Sequence, residues 1–279
     1  TLNKDIKKIM EEIGSNSKVA YERLSTTSNE EKNDALHLIA NEIENNKEYI
    51  LSENKKDKQI AKSKNLSEAM IDRLSLNDLG IKNIASSIRD IAKLNDPVGN
   101  ELESWVRPNG LHIKKVSIPI GVIGIIYESR PNVTADAASL CLKSGNASIL
   151  RSGSDSYFSS YAIYESIKEG LNKTSLDSNS IQLVPTKDRD AVGLMLEGLN
   201  SNIDIIVPRG GKSLVSRVQT EAKIPVFGHL EGICHVYVNE KADITKAIDV
   251  TFNAKMRRTS ICGAAETLLI DKSIYKEYL

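Results

Sequence analysis

The sequence predicts an α/β fold: a parallel, doubly wound sheet behind a helical N-terminal layer, with a β-hairpin projecting between the two. Three observations carry the prediction. From residue 120 onward, short apolar runs alternate with helical segments, the order that βαβ units produce. The apolar runs are rich in Ile and Val, as strands buried on both faces should be. Ahead of them, residues 1–95 carry apolar positions at helical spacing.

In the helical layer, "SNEEKNDALHLIANEIENN" opens with Ser28 and, three residues on, Glu31, the pair of a capping box. Leu36, Ile39, Ala40 and Ile43 follow at helical spacing, and "DLGIKNIASSIRDIAKL" repeats the pattern with Ile81, Ile84, Ile88 and Ile91. The Lys- and Asn-rich "ENKKDKQIAKSKN" between them reads as a solvated helix face or loop. At Asp96-Pro97 the character changes. In "ESWVRPNGLHIKKVSIPI" polar and apolar residues alternate around Pro108-Asn109-Gly110, so residues 97–118 read as a long hairpin. The sheet strands are "GVIGIIYE", "ASILRS", "SIQLVP", "IDIIVP" and "IPVFG". The helices between them are "TADAASLCLKSGN" with Gly145 at its end, "SSYAIYESIKEGL", "RDAVGLMLEGL" and "GKSLVSRVQTEA". After Gly232 come a further strand, "HVYVNE", a helix, "DITKAIDVTFNAKM", and a bend around Cys262.

The 279 residues suffice for one large domain or two smaller ones. Lys+Arg and Asp+Glu are equal at 37 each, and this zero net charge argues against a nucleic-acid partner. No apolar run approaches the ~20 residues of a membrane span. The start, "TLNKDIKKIMEEIG", is amphipathic and has no apolar signal core, so the expected location is cytoplasmic. Three cysteines, an odd and sparse count, suggest reduced thiols. With four histidines and neither CxxC nor HExxH, no metal site is expected.

Ligands of open α/β sheets bind beyond the carboxyl ends of strands, and two such ends stand out. In "IDIIVPRGGKSLV" a strand ends at Pro208, and Arg209-Gly210-Gly211-Lys212-Ser213 opens a helix. Two glycines let backbone N–H groups approach an anion at a helix N-terminus. A tight turn that needs glycine is the competing reading. In "SILRSGSDS", Arg151 leaves a strand end and Ser152, Gly153 and Ser154 follow. A guanidinium and hydroxyls there can hold a ribose or a 2′-phosphate, while an exposed loop arginine is the plainer alternative. Among the thiols, Cys141 sits on an apolar helix and Cys234 begins a strand, both readings of a small buried hydrophobe. Cys262 follows Lys255, Arg257 and Arg258 and has the small neighbours Ser260, Gly263, Ala264 and Ala265. Cations favour thiolate, small neighbours leave room at sulfur, and a backbone N–H of the bend can face an oxyanion.

"PIGVIGIIYESRPNVTADAASLCLKSGNASILRSGSD" resembles the cofactor-binding core of the aldehyde dehydrogenase superfamily. "YESRPNVT", "VPRGGKSLV", "GHLEGICHVYV" and "RRTSICGAAETLL", in that order along the chain, together resemble its γ-glutamyl phosphate reductase branch. The resemblance implies an aldehyde-dehydrogenase-like fold and NADPH-dependent reduction of L-glutamate 5-phosphate to the semialdehyde, in proline biosynthesis. It makes Cys262 the nucleophile that forms a thioester. It sets Gly210, Gly211 and Ser213 beside the pyrophosphate of NADP(H), Arg151 and Ser152 at the adenosine ribose, and Asn132 as a side-chain oxyanion donor. It also implies a homo-oligomer joined through the hairpin, and a functional link to glutamate 5-kinase.

Two departures qualify it. Where water-activating aldehyde dehydrogenases carry the glutamate of an "LELGG"-like segment, this chain has "HLEGICH", and Glu231 is not in clear register with that base. An acyl-phosphate reductase has no thioester to hydrolyse, so loss of the base fits; Glu231 and His229 satisfying local hydrogen bonds is the bland alternative. The family also continues well past the cysteine strand, whereas this chain stops at Leu279. The expected organisation is a dinucleotide-binding domain over residues 1–230 and the start of an incomplete catalytic domain over residues 231–279. The rival readings are an ordinary NAD(P)-dependent aldehyde dehydrogenase and an inactive dinucleotide-binding fragment.

Overall fold

The computed structural model describes residues 4–230, 232–259 and 261–278. The chain divides into two compact units, Thr1–Gly228 and His229–Leu279. The first begins with five helices: α1 (Lys4–Leu24), α2 (Asn29–Asn45), α3 (Lys47–Ser63), α4 (Glu68–Leu74) and α5 (Asp78–Lys93). The capping box at α2 is present. The Ser28 hydroxyl accepts from the Glu31 N–H, and the Glu31 carboxylate accepts from the Ser28 N–H, each at 3.2 Å. Leu36, Ile39, Ile43, Ile81 and Ile88 are at most 1% exposed, and burying each stabilises the fold by ~1.5–3 kcal/mol.

Residues 53–65 present the expected solvated helix face, with a buried side opposite it. Most of them continue α3, and Asn54, Asp57 and Ala61 are buried. The Asn54 amide donates to the Leu74 carbonyl at 2.7 Å and accepts from the Leu76 N–H at 2.9 Å. Its lysines face water while this polar pair holds the layer together.

The hairpin forms as its turn residues dictate. β1 (Glu101–Val106) pairs antiparallel with β2 (His112–Val116). The Arg107 N–H donates to the Leu111 carbonyl at 2.9 Å, and Gly110 takes φ +85°, which glycine adopts without strain. Every β1 side chain is exposed, Trp105 to 42%. At the ribbon's base, buried Lys32 pairs with Asp96 at 2.7 Å. The Lys143 ammonium donates to Asn29, Asn33 and the Ala92 carbonyl.

The sheet follows: β3 (Val122–Tyr127), α6 (Asn132–Lys143), β4 (Ala147–Arg151), α7 (Tyr157–Leu171), β5 (Ile181–Leu183), α8 (Asp190–Leu196), β6 (Ile205–Arg209) and α9 (Lys212–Glu221). All pairs are parallel and the order is β5-β4-β3-β6. The chain steps outward from β3 to β5, then returns to lay β6 on the other side of β3. Ile123, Ile125, Tyr127 and Leu150 face a core shared with α2, α5, α6 and α7. Val122, Ile126, Ile149 and Ile206 face a second core with α1, α8 and α9. Burial on both faces explains why these strands read as unbroken apolar runs.

One expected strand is absent. "IPVFG" makes a single bridge, Ile206 with Val226. The Ile206 N–H donates to Pro225 and the Ile206 carbonyl accepts from Phe227. The next residue of β6 on that edge is Pro208, which has no N–H to continue the ladder.

The second unit is one βαβ turn: β7 (Cys234–Val238), α10 (Ile244–Met256) and β8 (Ala265–Ile270), followed by α11 (Tyr275–Tyr278). β7 and β8 are parallel neighbours. Asp243 caps α10 by accepting from the Lys246 N–H at 2.8 Å. None of the described residues of α10 is buried.

α2 and α7 meet at Gly170, where an added Cβ would lie 2.6 Å from the Ile39 Cα. Backbone cannot yield there as a side-chain tip can. Gly170→Ala in the intact protein should therefore cost ~1–3 kcal/mol, read as a lower denaturant midpoint at unchanged slope. An unchanged midpoint would show that the two helices part freely.

Candidate active site

In the first unit, the chain reversal after β5 sets the ends of β3 and β6 side by side, the switch point at which open α/β sheets bind ligands. β6 runs into Gly210, Gly211 and the exposed first turn of α9, which carries Ser213. β3 runs into Glu128 and Ser129, and Ser129 takes φ +49°, a strained value for a non-glycine residue. The Glu128 carboxylate accepts from the Gly211 N–H at 3.1 Å. A Cβ on Gly210 would lie 2.5 Å from the Glu128 Oε2 and 2.8 Å from the Leu214 Cδ2. The Glu128 and Leu214 side chains thus come close to Gly210 at this helix N-terminus, and an anionic group already rests there. Glu128 was not among the expected site residues. Its signal in the sequence was an acid placed directly after a buried strand.

Asn132 is the first residue of α6, half-buried, at the same sheet end. Its amide donates to Asp136 at 3.0 Å. Burial pushes the Asp136 carboxyl up, against that hydrogen bond and the Arg209 charge.

Arg151 ends β4 but is only 8% exposed. Its guanidinium donates to the carbonyls of Ser152 at 2.6 Å and Lys187 at 3.1 Å. Burial, then the neighbouring Arg189 charge, pull its pKa down. Ser152 is likewise buried. Arg151 therefore ties the β4 exit to the loop after β5, and its Nε is buried without a hydrogen-bond partner. Behind it, the Tyr127 phenol, pushed up to about 12 by burial, shares a hydrogen bond of 2.6 Å with Thr134.

The other helix N-terminus beside this strand end is closed from outside. Asp57 of α3 accepts from the α7 N–H groups of Phe158 at 3.2 Å and Ser159 at 2.7 Å, and from the Ser159 hydroxyl at 2.6 Å. Lys187 stands over the Tyr157 and Phe158 rings at 4.9 and 4.2 Å.

In the second unit, Cys262 is exposed in the turn Ile261–Ala264, closed by the Ala264 N–H on the Ile261 carbonyl at 3.0 Å. Nothing lies within 4 Å of where a Gly263 Cβ would stand, so the bend is open. Lys255, Arg257 and Arg258 are exposed just before it. Ser260 and Glu231 lie outside the described residues. Cys234 is half-buried. Cys141 is 6% exposed and burial pushes its thiol up to about 12, which suits a packing role. Among the described residues no cluster of three or more His, Cys, Asp or Glu could hold a metal. Nor is any helix long and apolar enough to cross a membrane.

The family model for the aldehyde dehydrogenase family matches residues 3–279. The chain belongs to the aldehyde dehydrogenase family. Within that family it is similar to gamma-glutamyl phosphate reductase of Brucella suis biovar 1 (strain 1330), 53% identical over 278 residues, which covers 100% of this chain and 66% of the relative. The structure of gamma-glutamyl phosphate reductase from Thermotoga maritima superposes with a TM-score of 0.90 at 40% identity, over 96% of this chain and 65% of that one. The enzyme of the same name from Saccharomyces cerevisiae superposes with a TM-score of 0.73 at 34% identity, over 95% of this chain and 66% of that one. The chain thus spans just under two thirds of the length of these aldehyde dehydrogenase relatives.

Asp57→Ala in the intact protein should remove three hydrogen bonds from the buried start of α7 and cost ~1–3 kcal/mol. A thermal or denaturant unfolding curve reads this. A stability change indistinguishable from zero would mean that water caps α7 as well as the carboxylate does.

Proposed function

We propose that this chain is the cofactor-binding and nucleophile-bearing part of an NADPH-dependent reductase that converts L-glutamate 5-phosphate to L-glutamate 5-semialdehyde and phosphate, in proline biosynthesis. The observation that carries the reading is the exposed Cys262 in its open bend, in a chain 53% identical over its whole length to a gamma-glutamyl phosphate reductase.

In this mechanism the Cys262 thiolate attacks the acyl carbon and expels inorganic phosphate, leaving a thioester on sulfur. NADPH, when bound, supplies the hydride that reduces it. The resulting thiohemiacetal collapses by breaking its C–S bond, which returns the thiol and frees the aldehyde. A backbone N–H of the Ile261–Ala264 turn would face the developing oxyanion, a role that the family resemblance also assigns to the Asn132 amide. Exposed cations at Lys255, Arg257 and Arg258 suit a substrate that carries phosphate and carboxylate.

The first unit fits a dinucleotide. Gly210 leaves a cradle that a Cβ would fill, and the α9 N-terminus beyond it favours an anion. Gly210, Gly211 and Ser213 would hold the pyrophosphate after it displaces the exposed Glu128 carboxylate. Arg151 and Ser152 would shape the ribose end, with Arg151 acting through the loop it braces.

The labile acyl phosphate requires a kinase that phosphorylates glutamate, hence a functional link to glutamate 5-kinase. The open edges of the hairpin, with Trp105 exposed, support pairing with a second copy, so the whole protein is read as a homo-oligomer. Free thiols suit the cytoplasm.

Cys262→Ala in the intact protein should abolish phosphate-dependent oxidation of the semialdehyde, the reverse reaction, while Cys141→Ala retains most of it. Near wild-type turnover by Cys262→Ala would rule out the covalent route. Acid formation without phosphate would favour ordinary aldehyde oxidation instead. Arg151→Ala should loosen the loop after β5 and narrow the preference for NADPH over NADH indirectly, by less than the ~1–3 kcal/mol of a direct charge-assisted contact, measured by cofactor titration. Equal binding of both cofactors by the wild type would sink the NADP assignment.

A further inference from the structure

The second unit brings two thiols to one place. Cys234 opens β7, and Cys262 stands in the turn just ahead of β8, at the same end of a parallel strand pair. The Cys234 S–H donates to the Cys262 carbonyl, Sγ to O 3.3 Å. One sulfur therefore already rests on the backbone of the residue that carries the other. Cys234 lies opposite Ala265 in register. That sets it one strand spacing, ~4.8 Å, from Ala265, three residues beyond Cys262, and the turn between them must bring Cys262 the rest of the way. A disulfide spans Cα atoms ~4.4–6.8 Å apart.

The surroundings supply slack. The β7–β8 register shifts between Cys234 and His235. A single backbone hydrogen bond closes the Ile261–Ala264 turn, and Gly263 has open space around it. On the other side a Cβ at Gly232 would only touch the Cys262 carbonyl, at 3.8 Å. Cys262 is exposed to a small oxidant, and Cys234 is half-buried.

We infer that Cys234 is a resolving thiol for Cys262, so that peroxide closes the pair to a reversible disulfide and withdraws the nucleophile from reaction. In the first step the Cys262 thiolate attacks hydrogen peroxide. An S–O bond forms, the O–O bond breaks, hydroxide leaves, and sulfur is oxidised to sulfenic acid. In the second the Cys234 sulfur attacks the sulfenic sulfur. An S–S bond forms, the S–O bond breaks, and water leaves with the Cys234 proton. A dithiol opens the disulfide by two successive exchanges, is itself oxidised to a disulfide, and returns both thiols. Buried Cys141 takes no part.

The test uses the intact protein, one equivalent of hydrogen peroxide, alkylation of remaining thiols and peptide mass analysis. The expected product joins the Cys234 and Cys262 peptides with the loss of two hydrogens, and dithiothreitol restores both. In Cys234→Ser the same dose should leave Cys262 as a sulfenic acid trapped by dimedone, and longer exposure should carry it to a sulfinic acid that dithiothreitol does not rescue. Cys141→Ser should still give the joined peptides. The inference is overturned if wild-type Cys262 takes dimedone as fully as it does in Cys234→Ser while Cys234 remains alkylatable. It is equally overturned if the joined peptide contains Cys141. Should Cys234→Ser misfold, the wild type decides by itself: the joined Cys234–Cys262 peptide supports the inference, and a dimedone-labelled Cys262 beside an alkylated Cys234 overturns it. Because the readout is mass and not turnover, failure of the reductase reading would leave it standing.

Discussion

β3 leaves no face for water. Every side chain from Val122 to Tyr127 is buried, so helices must cover both sides of the strand, and the chain supplies them by laying α6 and α7 on one face and, after the reversal at β5, α8 and α9 on the other. Parallel neighbours on both edges complete its hydrogen bonding. Gly124 leaves room over β3 for a side chain of one of them, since a Cβ there would come 2.5 Å from the Ile206 Cδ1. To give β3 two parallel partners, the chain must step out through β4 and β5 and then return with β6. That return opens the crevice between the ends of β3 and β6. The crevice into which Gly210, Gly211 and Glu128 project is thus a consequence of how the central strand is buried.

Much of this was legible in the sequence because local and global signals agree. Ser28 and Glu31 marked the start of α2, Pro108-Asn109-Gly110 marked the hairpin turn, and the Ile- and Val-rich runs marked strands that lack a wet face. Features that depend on distant partners stayed hidden. Asp57 looks like one more charge among lysines, and only the fold reveals that it caps a helix begun a hundred residues later. "IPVFG" has the composition of a strand, but Pro208 on the neighbouring strand decides that it cannot be one. Arg151 was legible as a strand-end cation. That its guanidinium is spent on the carbonyls of Ser152 and Lys187 was not. Cys234 read as a small buried hydrophobe, and its contact with the Cys262 backbone depends on the parallel pairing of β7 and β8.

The site also shows how a fold chooses among equivalent anion sites. The N-termini of α7 and α9 both follow strands that end at the same sheet edge, and both carry the partial positive charge of a helix start. Each holds a carboxylate. The one on α7 belongs to Asp57, which is 1% exposed, and burial pushes its carboxyl up against three hydrogen bonds that stabilise the charge. Removing that carboxylate would take the acceptor from all three donors, a cost of ~1–3 kcal/mol in all. The one on α9 belongs to Glu128, which is exposed and gives a single hydrogen-bonding contact to Gly211. Water can take over when it leaves, so the helix-terminal term at stake is only ~0.3–1 kcal/mol. The α7 terminus is therefore held by a buried carboxylate and the α9 terminus by an exposed one. The glycines after β6 leave backbone N–H groups accessible at the switch point, the property on which the proposed anion site rests.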